Sequence, residues 1–479
     1  MKQKTGDNTL PHLIGAIPEG VVNHHFSYYS VALEGWRRGL NLTFHNTDRG
    51  GRKPSISHQY TLSDGNVSYK FVCARSSYIS KETIKIAEDK TLAYEYMRKN
   101  GVPIPETKTF IYNQLDIEEI CDFGEALGYP LVVKPTNRGG GKGVHTNIRN
   151  RKELREGLKD IRDNHKTKKV IVERYIENAI DYRFYVIEDR VLAASKSYSS
   201  NVIGDGISNI ERLIKDTNKR IRNNVSTHSR RMKINADMEA FLEAQSLSLK
   251  SIPLKGERVF LRAHGTYLGD RLNADCTDEV DTKFKQYAVQ ALKSIPGLPC
   301  GSVDMLINED TGEGVVNEIN SKGEIMMHVS PLEGKARDLP KSIVDFYFPD
   351  TQNKRCENFY FELNPIKEMF IRGIADEIRI PNIPVEDQYT KEITLKGKYL
   401  GPIYMKRLHR EAARLQLIGS VKEVQKDNVV ISVIGSKDSI KNYETFIKSY
   451  KRGRTTLTSV ESTGIKKFDG MSNINMEFK

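Results

Sequence analysis

The chain has 479 residues and a formal charge of +12, from 74 Lys and Arg against 62 Asp and Glu. Its 38% apolar and 28% charged content is that of a folded chain rather than a disordered one, and its length suits about three domains. No stretch approaches roughly 18 consecutive apolar residues, and the first twenty residues hold no apolar core, so neither a membrane span nor a secretory leader is expected. Cys73, Cys121, Cys276, Cys300 and Cys356 are odd in number and far apart, with no CxxC spacing. They predict reduced thiols and a cytoplasmic protein, not a disulfide frame or a zinc site.

In chain order, residues 27–40 have helical spacing, and Tyr69–Ala74 reads as a short strand. Residues 80–100 read as one helix with Ser80 as N-cap and Gly101 as its stop. Helix is expected over 118–127 and strand over Leu131–Lys134, followed by a glycine-rich loop over Asn137–Gly143. An amphipathic helix over 151–163, a strand over Val170–Glu173 and a hairpin over Asp181–Ile187 and Val191–Lys196 come next. Residues 208–250 read as mostly helical. Strands are expected over 257–264, 301–307 and 314–319, the last two as a hairpin. Pro365, Pro381 and Pro384 mark a linker over 351–390. Residues 391–450 give β-α-β-β-α, which is ferredoxin-like, and the tail 451–479 is basic with weak strand character. The fold class is α+β, or mixed α/β, with antiparallel pairs.

Three stretches bear on chemistry. Arg138, Gly139, Gly140, Gly141, Lys142 and Gly143 follow the strand that ends in Lys134. Glycines let backbone N–H groups approach phosphate oxygens and the cations neutralise them, although a plain turn has the same composition. It is not a Walker A loop. Next, Glu173 ends a strand and Asp181 begins another. They suit an adenine amine and ribose hydroxyls, or pair simply with Arg174 and Arg183. Finally, Asp304, Glu318 and Asn320 sit on two adjacent strands within apolar runs. Glu318 and Asn320, two apart, share a face. Buried carboxylates need a metal or a partner, and three oxygen ligands suit Mg²⁺, which binds through one or two carboxylates plus substrate phosphates. Between Lys215 and Lys233 seven basic residues face one acid, Asp216. Without interleaved aromatics to stack bases, this run fits an acidic partner or anionic substrate better than nucleic acid. His24, His25, His45 and His328 have no metal-ligand spacing and read as packing or surface groups.

In this order, DKTLAYEYMRKNGVPIPET (89–107), GYPLVVKPTNRGGGKGV (128–144), VIVERYIENAIDYRFYVIEDRVLAASK (170–196), VIGDGISNIERLI (202–214), DCTDEV, CGSVDML, NEIN and the stretch 328–349 resemble the ATP-grasp superfamily. The likeness is to the ATP-grasp domain of cyanophycin synthetase and the related domain of bifunctional glutathione synthetases. It covers residues 89–349. The resemblance implies an ATP-grasp fold over 86–350 behind an N-terminal α/β pre-domain over 1–85. It implies ATP and Mg²⁺, or Mn²⁺, as cofactors. Lys90 and Lys134 resemble the lysines on the α- and β-phosphates, and Arg138 to Gly143, Lys142 included, the loop over the γ-phosphate. Glu173 resembles the adenine-contacting acid, Tyr175 and Ile176 the hinge, and Asp181 the ribose acid. Asp304, Glu318 and Asn320 resemble the metal ligands, and Arg262 the strand arginine near the transferred phosphate.

The implied activity is a carboxylate–amine ligase acting on an amino acid or peptide through an acyl phosphate. A non-catalytic ATP- or nucleic-acid-binding module and a ligase that modifies a protein or peptide terminus are the competing readings. A homo-oligomer is expected, with no membrane partner. Two departures from the family, TYLGDR over Thr266–Arg271 and Gly323-Glu324 after the metal-binding Asn320, imply a substrate of its own. Residues 391–450 resemble acylphosphatase, but Met405 stands where the catalytic Arg would be and Glu423 where the catalytic Asn would be. The implied module is inactive.

Overall fold

The computed structural model describes residues 8–46, 59–111, 117–136, 143–165, 167, 169–262, 271–384, 387–425, 428–450, 455–474 and 476–478. The helix His24–Arg37 is apolar on nearly every side, so it is buried all round: Phe26, Tyr28, Tyr29, Val31, Ala32, Leu33 and Trp36 are fully inside. It packs against Asn41–His45 and Gln59–Ser63, two strands of a five-stranded sheet.

The stretch 351–390, expected as a linker, does not run free. Glu377–Arg379 adds an antiparallel edge strand beside Asn41–His45. Phe359, Phe361 and Leu363 are buried, and the Phe361 ring lies 5.0 Å from Tyr29 and 5.5 Å from Trp36. The prolines here bend a chain that packs, rather than spacing two domains.

Residues 80–100 form two helices, Lys81–Glu88 and Lys90–Lys99, not one. Ser80 caps the first as expected. Asp89 breaks the run because its carboxylate accepts from Thr91 N (2.9 Å) and Leu92 N (3.2 Å), making it the N-cap of the second helix. The break sets Lys90 at a helix start.

Two antiparallel sheets follow. The first orders Thr107–Ile111, Lys169–Arg174, Leu131–Pro135 and His145–Ile148. Ile117–Leu127 and Arg151–His165 pack together beside it around Ile120, Leu131, Val133, Leu154, Leu158 and Val172. The second orders Leu272–Asp275, Arg190–Tyr198, Ile180–Ile187, Cys300–Ile307 and Gly314–Asn320. Helix Thr282–Ser294 packs on it through Phe284, Ala288, Ala291 and Leu292.

A lobe with its own core (Val202, Ile210, Ile214, Met238, Leu242, Leu261) is inserted between two strands of the second sheet. Helix covers only Ile210–Asn223 and Ala236–Glu243 of the expected 208–250. The expected strand 257–264 is realised as Arg258–Phe260.

In the last unit, Tyr389–Lys398, Pro402–Arg414, Ile418–Gln425, Asn428–Gly435 and Lys437–Ser449 follow the expected β-α-β-β-α order. The tail supplies Thr456–Ser462, which pairs with Tyr389–Lys398. It also supplies Ser472–Asn473, which pairs with Phe359–Tyr360. Ile418, Ile434 and Ile474 join the main core, so this unit is packed onto the rest of the chain. Among the described residues no helix is long and apolar enough to cross a membrane.

Candidate active site between two sheets

Pleating sorts the second sheet into an apolar face and a polar one. The register sets Asp275 opposite Ser195, Ser195 opposite Arg183, Arg183 opposite Asp304 and Asp304 opposite Glu318. One rung of five polar side chains therefore crosses the whole sheet. Asp181 and Asn320, each two residues along its strand from a rung member, lie on the same face. Tyr182 and Phe184 alternate to the opposite, buried side. Thus Asp304, Glu318 and Asn320 converge as their spacing predicts.

Their partners are specific. Arg183 holds Asp304 by a bidentate pair, Nε to Oδ1 at 2.6 Å and Nη2 to Oδ2 at 2.7 Å. Asn320 Nδ2 donates to Asp304 Oδ2 at 3.1 Å. Lys90 Nζ, from the helix start created by Asp89, lies 2.8 Å from Glu318 Oε2. The register slips by one residue beside Asp304, so Asn317 has no cross-strand partner. Such a bulge re-aims a side chain: Asn317 Oδ1 accepts from Lys134 Nζ at 3.0 Å, and its carbonyl accepts from Tyr94 OH at 2.9 Å.

Lys134 brings in the first sheet. Glu173 pairs with Val132 on the neighbouring strand, so it stands diagonal to Lys134, and their charges meet at 2.7 Å with both side chains buried. Lys134 also donates to Tyr94 OH at 3.2 Å. Burial, with Glu173 and Glu318 nearby, drives the Tyr94 phenol well above its usual pKa. Lys134, Tyr94 and Asn317 therefore clasp the two sheets together. Glu173 Oε2 is buried without a hydrogen-bond partner among the described residues. Tyr175 and Ile176 follow directly, with Tyr175 N donating to Pro130 O at 3.1 Å.

Other expected residues are placed differently. Asp181 is paired with Arg271. Arg262 lies two residues past its strand, and Nη2 donates to Asn235 Oδ1 of the insertion lobe at 3.3 Å. Gly143 is left-handed (φ 74°), with the His165 ring where a Cβ would go. Arg138, Gly139, Gly140, Gly141 and Lys142 lie outside the described residues, as does Thr266–Asp270.

Sequence reasoning missed Asn317; it took Arg183 only as a pair for Asp181, Arg230 only as part of a basic run, and Arg271 and Glu324 only as departures from the family. Arg183 was legible, being two residues from Asp181 on one strand. Glu324 pairs at 2.6 Å with His24, which remains an exposed surface residue. Burial raises the Glu324 pKa, but His24, Arg183 and Arg230 lower it overall. His328 is fully buried, and neither ring nitrogen has a hydrogen-bond partner among the described residues. Desolvation, then Arg183, push its pKa down to about 3.

Residues 89–195 match the family model of the carbamoyl-phosphate synthase L chain, ATP binding domain. The chain is 30% identical over 282 residues to the cyanophycin synthetase of Geminocystis herdmanii, covering 57% of this chain and 31% of that protein. It is 29% identical over 330 residues to the bifunctional glutathione-biosynthesis protein of Clostridium perfringens, covering 66% and 40%. A solved bifunctional glutathione synthetase from Pasteurella multocida aligns at TM-score 0.48 and 25% identity, over 61% of this chain and 41% of that one. The chain thus contains an ATP-grasp domain. That domain is homologous to those of cyanophycin synthetase and bifunctional glutathione synthetase. The chain spans about a third of the length of the cyanophycin synthetases it matches.

Proposed function

We propose that the protein is an ATP-dependent carboxylate–amine ligase. One observation carries this: lysines from two structural units, Lys90 and Lys134, meet the carboxylates of Glu318 and Glu173 at 2.8 and 2.7 Å, beside Asp304 and Asn320. Phosphate oxygens would replace those carboxylates as partners of the lysines. The homologous ligases support the reading.

Mg²⁺ fits this donor set. Among the described residues no three acids, histidines or cysteines gather as a self-sufficient metal cage. Two carboxylates and an amide oxygen on one sheet face are instead what an ion sharing its ligands with substrate phosphates requires. Asp304, Glu318 and Asn320 would hold it, and its positive charge would offset the negative charge of the transferring phosphoryl group.

The chain's own residues do the rest. Lys90 and Lys134 neutralise phosphate oxygens, and the Arg138–Gly143 loop with Lys142 covers the γ-phosphate. Glu173 Oε2 accepts from the adenine amine, Asp181 receives the ribose, and Tyr175 and Ile176 form the hinge. Arg262 steadies the transferred group. A substrate carboxylate oxygen attacks the γ-phosphorus, the bond to the β-phosphate oxygen breaks, and ADP leaves. The amine nitrogen then attacks the acyl carbon, the carbon–oxygen bond to phosphate breaks, and the nitrogen loses a proton as the amide forms. No nucleophilic side chain is needed; positioning and charge set the rate.

We assign residues 1–85 together with part of 351–390 to the pre-domain, 86–350 to catalysis and 391–450 to a module without hydrolase activity. Met405, half-buried against that module's core, offers an acyl phosphate no donor. The cytoplasm, which supplies ATP and keeps thiols reduced, is the proposed compartment. The test is phosphate and ADP release across a panel of amino acids and dipeptides, with Glu318→Ala as blank. Release that needs an added acid and amine supports the ligase. Steeply salt-dependent nucleic-acid binding without turnover supports the non-catalytic reading instead.

A further inference from the structure

Between the two helices of the insertion lobe, residues 224–227 are bolted to the rest of the chain, while Met232 stays in the lobe's own core and exchanges hydrogen bonds with Asn218 at 2.9 Å. Asn224, Val225, Ser226 and Thr227 are buried. Asn224 Nδ2 donates to Ser330 O at 3.2 Å and Pro331 O at 3.1 Å, Ser226 Oγ donates to Ser330 O at 2.6 Å, and Asn23 N donates to Val225 O at 2.7 Å. A turn from Arg230 N to Thr227 O (2.7 Å) then sends Arg230 inward, where Nη1 donates to Arg271 O at 3.2 Å. The run that reads in sequence as one basic surface is therefore split. Lys215, Lys219 and Arg222 stay exposed, and Arg230 turns towards the site.

The charged neighbours of Arg230 are Arg183, Arg271 and Glu324. Arg183 is matched by Asp304 and Arg271 by Asp181, and Glu324 is hydrogen-bonded to His24, which answers its charge when the imidazole is protonated. Among the described residues Arg230 has no carboxylate at ion-pair distance. Burial, with Arg183 beside it, lowers its pKa from the usual guanidinium value. A desolvated guanidinium next to two others is costly unless an anion joins it. The planar fork of arginine is suited to a carboxylate.

We infer that Arg230 binds a free carboxylate of the substrate: the α-carboxylate of an amino acid, or the terminal carboxylate of a short peptide, on either the acid or the amine partner. The inference rests on the ligase reading and narrows it. The bound carboxylate is not the one that is activated. It is a second, unreacting group that places the substrate beside Asp304 and Glu318. Two of its charged neighbours, Glu324 and Arg271, belong to the stretches Gly323-Glu324 and TYLGDR that read in sequence as departures from the family.

The experiment compares wild type, Arg230→Gln and Arg230→Lys, using amino acids and dipeptides as free acids and as C-terminal amides. Binding is read by the shift in melting temperature in the presence of ADP, and turnover by ADP release. Losing one charge-assisted pair predicts a KM for the free acid raised roughly 10–100-fold in Arg230→Gln, with partial rescue in Arg230→Lys. The KM for ATP should stay within about 2-fold of wild type. The wild type should favour the free acid over its amide, and the amide series shows which partner carries the group. Equal shifts by acids and amides in the wild type overturn the inference even if nothing turns over. So does a variant whose ATP KM rises instead. Absence of turnover with intact, Arg230-dependent acid binding would refute the ligase reading alone.

Discussion

The second sheet and the C-terminal sheet each bury an apolar face, yet they place their charges differently. In the C-terminal unit Ile393, Leu395, Val421, Val429, Ile431 and Val433 face a dry core. Its buried ion pair, Lys391 with Glu444, lies at the edge of that core. Burial raises the Glu444 pKa, but Lys391, Lys448 and Ser462 together hold it down to about 2. In the second sheet a polar rung runs from Asp275 to Glu318, and each carboxylate is answered by a cation from another element. Ion pairs that are partly or fully buried add little net stability. A row of them on one sheet face is therefore better explained by a charged ligand than by folding.

The comparison can be broken most sharply at Lys134. Lys134→Met leaves Glu173 buried without its cation, which should cost about 3–5 kcal/mol in urea denaturation and abolish ADP release. Adding Glu173→Leu should restore most of the stability and none of the activity. Recovery of both would make the pair merely structural. Glu318→Gln should lower ADP release roughly 10²–10³-fold while leaving the melting temperature near wild type, since Glu318 is a third exposed.

His328 gives a smaller, pH-dependent effect. Its folded pKa, about 3, lies below its unfolded value of 6.5. The unfolded chain therefore takes up a proton first, so the His328 contribution is complete above pH 6.5 and is lost as pH falls towards 3. The slope is at most about 1.4 kcal/mol per pH unit. His328→Gln should flatten the acid limb measured by denaturation between pH 7 and 5, and an unchanged limb would show the imidazole is not held neutral. The smallest effect belongs to the C-terminal sheet. Lys391→Met combined with Glu444→Leu should leave stability within about 1–2 kcal/mol of wild type and ADP release unchanged.

Much of this was legible in the sequence. Glu318 and Asn320 advertise a shared face by their spacing, and the apolar residues around Asp304 imply a partnered carboxylate. The ββ hairpins and the β-α-β-β-α order follow from periodicity alone. Other features depend on contacts between distant segments. Asp89 splits a helix because its carboxylate competes for backbone N–H groups, which apolar spacing cannot register. The 224–235 stretch is not helical because Asn224 and Ser226 spend their hydrogen bonds on Ser330 and Pro331. The proline-rich 351–390 reads as a linker until Phe361 is seen against Tyr29 and Trp36. Asn317 enters the site through a bulge that no pattern of two predicts.

The most direct test is an anomalous difference map from crystals soaked with Mn²⁺ and ADP. The account predicts a metal peak bound by Asp304, Glu318 and Asn320, with the diphosphate between it and Lys90 and Lys134 and the adenine at Glu173. A metal held elsewhere, or a nucleotide outside the cleft between the two sheets, would contradict it.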